Sequence, residues 1–216
     1  SGGDDLFLVG NWNTICSCAM TINSEFSKFT GNNESITLSA GIYLAAHKYP
    51  IYKSADGCAE YEERAKQYCV GNEDLITSSK NAVTFLSMPV KWSDFEIINN
   101  FKNLLVANIK NENISKGLLN KLREIFELYT EIKNELKKDK TRTKEEIERL
   151  AMRNKWQWKM AYFLHRAAQS DKKESKEIIE KIENIILQND DDFDTKVDFI
   201  SLLGMPARWA EFETRK

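Results

Sequence analysis

Two adjacent aspartates, Asp4 and Asp5, are the residues of this sequence best suited to chemistry. They follow two glycines and precede the apolar residues 6–9, a pattern that predicts a tight hairpin leading into a strand. Two neighbouring carboxylates at the mouth of a buried strand repel each other unless a cation binds them. Mg²⁺ binds one or two carboxylates together with phosphate oxygens, and two such ions assist phosphoryl or nucleotidyl transfer. The alternative is a plain polar turn, in which Gly and Asp are common.

Cysteine and histidine suggest little further chemistry. The four cysteines lack the paired C-x₂₋₄-C spacing of structural zinc sites, so we expect buried, reduced thiols. Two isolated histidines make a metallohydrolase or a Ser-His-Asp site improbable on composition alone. These residues are Cys16, Cys18, Cys58, Cys69, His47 and His165.

Length and composition exclude several classes of protein. The chain has 216 residues, of which 42% are hydrophobic and 30% charged, which is enough apolar material for a packed core. A net charge of −2 excludes a strongly cationic binder, although a local basic patch is compatible with it. No apolar run approaches the roughly 18 residues of a membrane span, and no signal peptide is visible. We therefore expect a cytoplasmic location and no membrane partner.

The first 90 residues alternate strand and helix signals. Residues 6–9 form a continuous apolar run, typical of a central strand buried on both faces. Apolar spacing predicts helices over residues 12–29 and 54–68, and further strands over residues 36–44 and 82–86. Gly41, inside the second strand, indicates close approach by a ligand or by another backbone.

From residue 91 onward the pattern is helical only, which predicts a bundle of about five helices in a second domain, residues 91–216. Capping boxes at Ser93-x-x-Glu96 and Thr143-x-x-Glu146 predict two helix starts. Amphipathic stripes predict helices over residues 115–138 and 177–187. In the last helix, we expect Gly204 and Pro206 to interrupt the helical pattern.

Several motifs together resemble one family. Residues 2–10 (GGDDLFLVG) resemble the GGDD hairpin of the large, polymerase-like subunit of type III CRISPR effector complexes, most closely the Csm, or III-A, branch. Ala65-Lys66 and the later Lys80-Asn81 resemble an ending shared with nucleotide cyclase palms. Further stretches agree in order and spacing: residues 38–42 (LSAGI), 48–51 (KYPI), 79–84 (SKNAVT) and 207–211 (ARWAE). The likeness spans nearly the whole chain.

The resemblance implies an α+β fold. It places a partial ferredoxin-like palm, of the nucleotide cyclase and polymerase type, in residues 1–90, and an all-α helical domain in residues 91–216. A palm of this kind needs a strand, a helix and the first hairpin strand before the GGDD turn, and Ser1 already lies in that turn. We therefore expect the C-terminal part of the subunit, without its nuclease-like HD region and first palm. We expect this part alone to be inactive.

The resemblance also implies a reaction and its site residues. In that family two palms bind two ATP molecules, and on capture of target RNA they produce cyclic oligoadenylate. Asp4 and Asp5 would be the catalytic residues that hold two Mg²⁺ or Mn²⁺ ions. Residues near the nucleotide would be Gly2, Gly3, Ser39, Lys66 and Lys80. For the lysines the alternative is a solvated side chain, and for Ser39 it is a strand hydroxyl bonded to backbone.

The implied partners are the other effector subunits, namely the small helical subunit and the guide-end-cap subunit, together with guide RNA, target RNA and ATP. Two segments of the helical domain suit RNA contact. Residues 133–144 are rich in lysine, which fits a phosphate contact or a solvated helix end. Residues 153–159 mix tryptophan with basic residues, which fits base stacking or core packing.

Two other functions remain open on the sequence. A GGDEF-type diguanylate cyclase uses the same palm with GTP, but Asp5 stands where that family usually has Glu, and a helical bundle follows. The second is a non-catalytic helical module that binds RNA or acts as a scaffold and carries a vestigial palm. The intact Asp4-Asp5 pair argues against this second function.

Overall fold

A computed structural model of the chain describes residues 5–68, 80–138, 155–169, 173–188 and 198–215. These residues contain seven α-helices, a short 3₁₀ helix and three strands, so the fold is α+β and mostly helical, as predicted. The chain divides into two compact units, Ser1–Glu96 and Ile97–Lys216. None of the helices in the described ranges is long and apolar enough to cross a membrane.

The first unit contains a small mixed sheet with the strand order β1-β2-β3. β1 and β2 are parallel with Gly41 opposite Thr84, and β2 and β3 are antiparallel with Ala82 opposite Lys91. Its elements are α1 (Trp12–Phe29), β1 (Ala40–Ile42), α2 (Ile51–Lys66), β2 (Ala82–Phe85) and β3 (Met88–Lys91).

Helix α1 has the bounds that its apolar spacing predicts. The Asn11 side chain caps its start by accepting a hydrogen bond from the Asn13 amide at 3.1 Å. Thr30 and Gly31, the latter with a φ of +66°, end it. Helix α2 begins at Ile51, three residues earlier than predicted, because Pro50 is tolerated at a helix start, where no amide donor is needed.

The strand predicted for residues 6–9 is wrong for this structure. Residues 5–10 adopt no strand, and Leu6 and Val9 are 65% and 66% exposed. A strand requires a hydrogen-bonded neighbour, and β1, β2 and β3 are the strands of the described chain. Residues 6–9 are therefore apolar but not buried, and their composition alone does not predict whether they join the sheet.

Strand β3 was not predicted. Pro89 interrupts its sequence pattern, and the turn residues Leu86 and Ser87 lack the Asn-Gly signal of a tight hairpin although both have positive φ, +49° and +65°. The proline is accommodated because β3 is an edge strand of the described sheet, where a missing backbone donor is tolerated.

The helices after β3 are α3 (Trp92–Lys110), α4 (Gly117–Lys138), α5 (Lys155–Ala168), α6 (Lys173–Ile186) and α7 (Gly204–Thr214), with a 3₁₀ helix at Phe199–Ser201. Helix α4 packs against α5 and α7, and α5 packs against α6. The rings of Phe101 and Phe199 meet edge-to-face with their centroids 5.1 Å apart. Their contact joins α3 to the 3₁₀ helix in the core of the second unit.

Two helix-boundary predictions need correction. Ser93 does not cap α3, because the helix already begins at Trp92, directly after β3. The second capping box, at Thr143, lies outside the described residues. Helix α7 begins at Gly204 and is not interrupted by Pro206. The proline lies in the first helical turn, where a backbone amide has no partner within the helix.

A buried ion pair joins α3 to α7. Lys102 Nζ lies 2.7 Å from Glu213 Oε1, with only 5% and 13% of the two side chains exposed, and 4.7 Å from the centroid of the Trp209 ring. We expect Lys102→Met to lower the free energy of unfolding by about 2 kcal/mol, because it leaves the Glu213 carboxylate buried without its partner. Urea unfolding followed by circular dichroism measures this loss.

The double variant Lys102→Met/Glu213→Gln is expected to lose less free energy of unfolding than the two single variants lose together, because it leaves no unpaired charge. Lys110→Met, which removes an exposed lysine from the same helix, serves as the control and should change stability little. Equal losses in Lys102→Met and Lys110→Met would show that the pair contributes nothing.

Candidate functional site

The predicted site residues lie partly outside the described residues. Asp4 and the two glycines before it, Gly2 and Gly3, belong to the part of the chain that the structure does not describe. Asp5, Ser39, Lys66 and Lys80 are described, and all four belong to the first unit. Asp5 is exposed at the start of the described chain.

The position of α2 depends on Gly41. A Cβ atom on Gly41 would lie 2.4 Å from the Cys58 carbonyl oxygen and 2.6 Å from the Glu62 amide nitrogen. Real Cβ atoms essentially never come this close, so only glycine permits this contact between β1 and α2. Of the two explanations the sequence allows for a glycine here, the structure shows close approach by another backbone.

Two tyrosines hold the same helix in place. The Tyr43 ring lies against Gly57, where a Cβ would be 2.8 Å from it, and meets the Tyr61 ring edge-to-face at 5.4 Å. The Tyr61 and Ser87 hydroxyls are hydrogen bonded at 2.6 Å. Helix α2 is therefore tied to the segment after β1 and to the β2–β3 turn, which fixes where its last residue, Lys66, lies.

Lys66 is held by an ion pair within α2. Its ammonium pairs with Glu62 Oε1 at 2.7 Å, one helical turn earlier. The hydrogen bond and the charge of Glu62 raise the pKa of Lys66, burial lowers it, and the negative charges of Asp5 and Glu63 add smaller increases. Asp5 lies 61 positions earlier in sequence and acts on Lys66 through its charge alone, since none of the described ion pairs joins the two residues.

Lys80 is exposed just before β2 in an unusual backbone conformation. Its φ is +98°, and that of the following Asn81 is +57°. Lys91 Nζ donates a hydrogen bond to the Lys80 carbonyl oxygen at 2.7 Å. Among the described interactions none joins the Lys80 ammonium to Asp5 or Lys66, so the structure does not gather all the predicted residues into one contact cluster.

Ser39 is half-buried directly before β1. The neighbouring Leu38 carbonyl oxygen accepts a hydrogen bond from the Trp92 indole at 2.8 Å, which ties this segment to the start of α3. In the described part of the chain the Ser39 hydroxyl itself makes no hydrogen bond, so the expected alternative, a hydroxyl bonded to backbone, is not what the structure shows.

Sequence reasoning did not single out Glu62 or Lys91. The Glu-x-x-x-Lys spacing of residues 62 and 66 is a recognised helical ion pair and could have identified Glu62. Lys91 has no comparable signal, because its contact with Lys80 depends on the antiparallel register of a strand that was not predicted.

Metal and thiol chemistry has limited support in the described residues. No group of three or more His, Cys, Asp and Glu side chains in the described ranges is arranged to hold a metal ion. The thiol of Cys16 is buried as predicted, whereas those of Cys18 and Cys58 are half-buried. Burial raises the pKa of Cys58, against a backbone hydrogen bond, which favours the unreactive thiol. Cys69 lies outside the described residues.

The predicted RNA segments of the helical unit are only partly described. Lys140, Arg142 and Lys144 lie outside the described residues, and Lys133 covers the Tyr129 ring at 5.4 Å. In the other segment Trp156 is buried and meets the same ring edge-to-face, as core packing predicts. Trp158 is 59% exposed and remains available for stacking.

Known proteins similar to this chain come from one family. Residues 1–76 match the model of the Cas10/Cmr2 second palm domain. Three relatives are named CRISPR system single-strand-specific deoxyribonuclease Cas10/Csm1, subtype III-A. The Methanocaldococcus jannaschii relative is 34% identical over 99 residues, which is 45% of this chain and 12% of the relative. The Thermococcus onnurineus relative is 30% identical over 142 residues, which is 63% of this chain and 18% of the relative. The Streptococcus thermophilus relative is 42% identical over 86 residues, which is 39% of this chain and 11% of the relative.

The matches cover between 11% and 18% of the length of these three relatives. No solved structure matches the chain significantly. The matches confirm the resemblance to part of the large subunit of type III-A CRISPR effector complexes that the motifs indicate.

Proposed function

Because this chain is related to part of the Cas10/Csm1 large subunit and carries a match to a second palm domain, we propose that it acts within a type III-A CRISPR effector. In that complex it contributes to a metal-dependent nucleotidyltransferase, which converts ATP into cyclic oligoadenylate in antiviral defence when target RNA is bound. The partners are the other effector subunits, guide RNA and target RNA, and the location is the cytoplasm.

The observation that carries this proposal is the match of residues 1–76 to a second palm domain, a range that contains the described residues Asp5 and Lys66. An exposed carboxylate offers the hard oxygen ligand that Mg²⁺ and Mn²⁺ prefer. The Lys66 ammonium, which pairs with Glu62, offers a cation for phosphate oxygens. The negative phosphates of a polyphosphate would suit the Lys66 ammonium, and its positive metal ions would suit the Asp5 carboxylate.

Each residue then has a distinct task in the proposed transfer. The 3′-hydroxyl oxygen of one ATP loses its proton to solvent and forms a bond to the α-phosphorus of the other, the bond from that phosphorus to the β-phosphate oxygen breaks, and pyrophosphate leaves. Asp5, with Asp4, would hold the metal ions, and Lys66 and Lys80 would bind the triphosphate. When bound, the ions supply charge stabilisation at the attacking and leaving oxygens. Ser39 and the two glycines would lie beside the nucleotide.

The relatives are named for cleavage of single-stranded DNA. Since this chain covers a small part of their length, that activity stays with those proteins, and the proposal concerns nucleotidyl transfer alone. The chain by itself is expected to be inactive, because the proposed reaction needs two facing palms.

The test uses the full-length subunit assembled with its complex, incubated with ATP or GTP and Mg²⁺, with and without target RNA. Chromatography and mass spectrometry identify the products. We expect cyclic oligoadenylate from ATP only when target RNA is bound. A cyclic guanine dinucleotide from GTP would indicate a diguanylate cyclase, and the absence of metal-dependent nucleotide binding would indicate a scaffold. Cyclic products made by the 216-residue chain alone would contradict its expected inactivity.

A further inference from the structure

The segment that leads into β2 contains two consecutive residues in the left-handed region, Lys80 and Asn81. Asparagine tolerates this region, because its short polar side chain can bond locally, whereas lysine has no such compensation. A solvated lysine does not need a strained backbone, so the conformation at Lys80 requires a local cause. Strain of this kind is found at sites where the surrounding structure holds a functional group in place.

A contact that restrains this segment comes from the opposite strand. Lys91 is the ladder partner of Ala82, the first residue of β2. Its side chain reaches past that pair, and its ammonium donates a hydrogen bond to the Lys80 carbonyl oxygen at 2.7 Å. A charged donor makes a stronger hydrogen bond than a neutral one, and this bond fixes the peptide that joins the two left-handed residues, Lys80 and Asn81.

We infer that Lys91 is a positioning residue: through the Lys80 carbonyl it fixes the backbone from which the Lys80 ammonium reaches the triphosphate. This inference rests on the proposed function, since it adds a residue to the same nucleotide site. Lys91 acts on the main chain of Lys80 and needs no contact of its own with the substrate. The sequence resemblance assigns it no role.

The experiment measures metal-dependent ATP binding by the full-length subunit in its complex. The variants are Lys80→Met, Lys91→Met, the double variant and Lys91→Arg. Lys53→Met is the matched control, because Lys53 is an exposed lysine near the start of α2, about 20 Å along that helix from Lys66.

We expect Lys80→Met to weaken ATP binding about 10-fold and Lys91→Met about 5-fold. The double variant should bind about as weakly as Lys80→Met alone, because Lys91 acts only through Lys80. Lys91→Arg, which keeps a charged donor, should restore most of the affinity, and Lys53→Met should bind as the parent does. Non-additivity and rescue are results that general destabilisation would not produce.

The inference is overturned if Lys91→Met binds ATP like the parent, or if the two losses multiply to about 50-fold in the double variant. In either case, weaker ATP binding by Lys80→Met than by the parent still supports the proposed function. A parent complex that binds no ATP in the presence of metal ions overturns the proposed function, and the inference with it. If Lys91→Met fails to fold, Lys91→Arg alone tests the inference. Failure of Lys91→Arg to bind ATP would contradict the positioning role of Lys91.

Discussion

Replacement of Asp5 with Asn in the full-length subunit is expected to reduce cyclic oligoadenylate synthesis by about 100-fold or more. The amide has nearly the shape of the carboxylate but lacks the negative charge that binds Mg²⁺. The change also removes one of the charges that raise the pKa of Lys66, although Glu62 still holds that ammonium. The helix and sheet that carry the site should therefore remain, and the loss should be chemical.

Product formation at saturating ATP and target RNA measures this effect, with target RNA binding as a check on assembly. Asp56→Asn is the matched control, because Asp56 is an exposed aspartate on α2. The same loss in both variants, or no loss in Asp5→Asn, would contradict the assignment. Cleavage of single-stranded DNA is assayed on the same samples. If Asp5→Asn abolishes that cleavage alone, the site hydrolyses DNA instead.

Replacement of Gly41 with Ala is expected to destabilise the first unit by about 3 kcal/mol or more. The added methyl group would overlap two backbone atoms of α2, which cannot turn aside as a flexible side chain can. Either α2 moves away from β1 or the strand distorts. Both outcomes displace Lys66, the last residue of α2, so nucleotide binding should weaken together with stability.

Differential scanning calorimetry and ATP binding on the full-length subunit measure the two consequences. Gly117→Ala is the control, because Gly117 begins α4 and its nearest neighbour, the Ser115 hydroxyl, would be 3.6 Å from the new methyl group. Alanine there should be neutral or slightly stabilising. A Gly41→Ala variant as stable as Gly117→Ala would show that β1 and α2 do not pack as described.

Local patterns predicted the helices better than the strands. The bounds of α1 follow from apolar spacing and an Asn cap, which are properties of neighbouring residues. Residues 6–9 are the opposite case: their composition is that of a strand, yet in the described sheet they have no partner. Strand β3 was missed because its edge position, which makes Pro89 acceptable, is decided by distant residues.

The sequence by itself determined which chemical groups are present and which family they resemble. It singled out Asp4, Asp5, Lys66 and Lys80 by residue type and motif, since carboxylates and lysines suit metal ions and phosphates wherever they lie. It also indicated that Gly41 lies close to a ligand or to another backbone.

Only the tertiary structure decided which of these groups meet. It showed that Gly41 contacts the backbone of α2, that Lys66 pairs with Glu62 on this helix, and that the Lys91 ammonium donates a hydrogen bond to the Lys80 carbonyl oxygen. The physical reason is that close packing and strand register depend on residues far apart in the chain, whereas periodicity and capping are local.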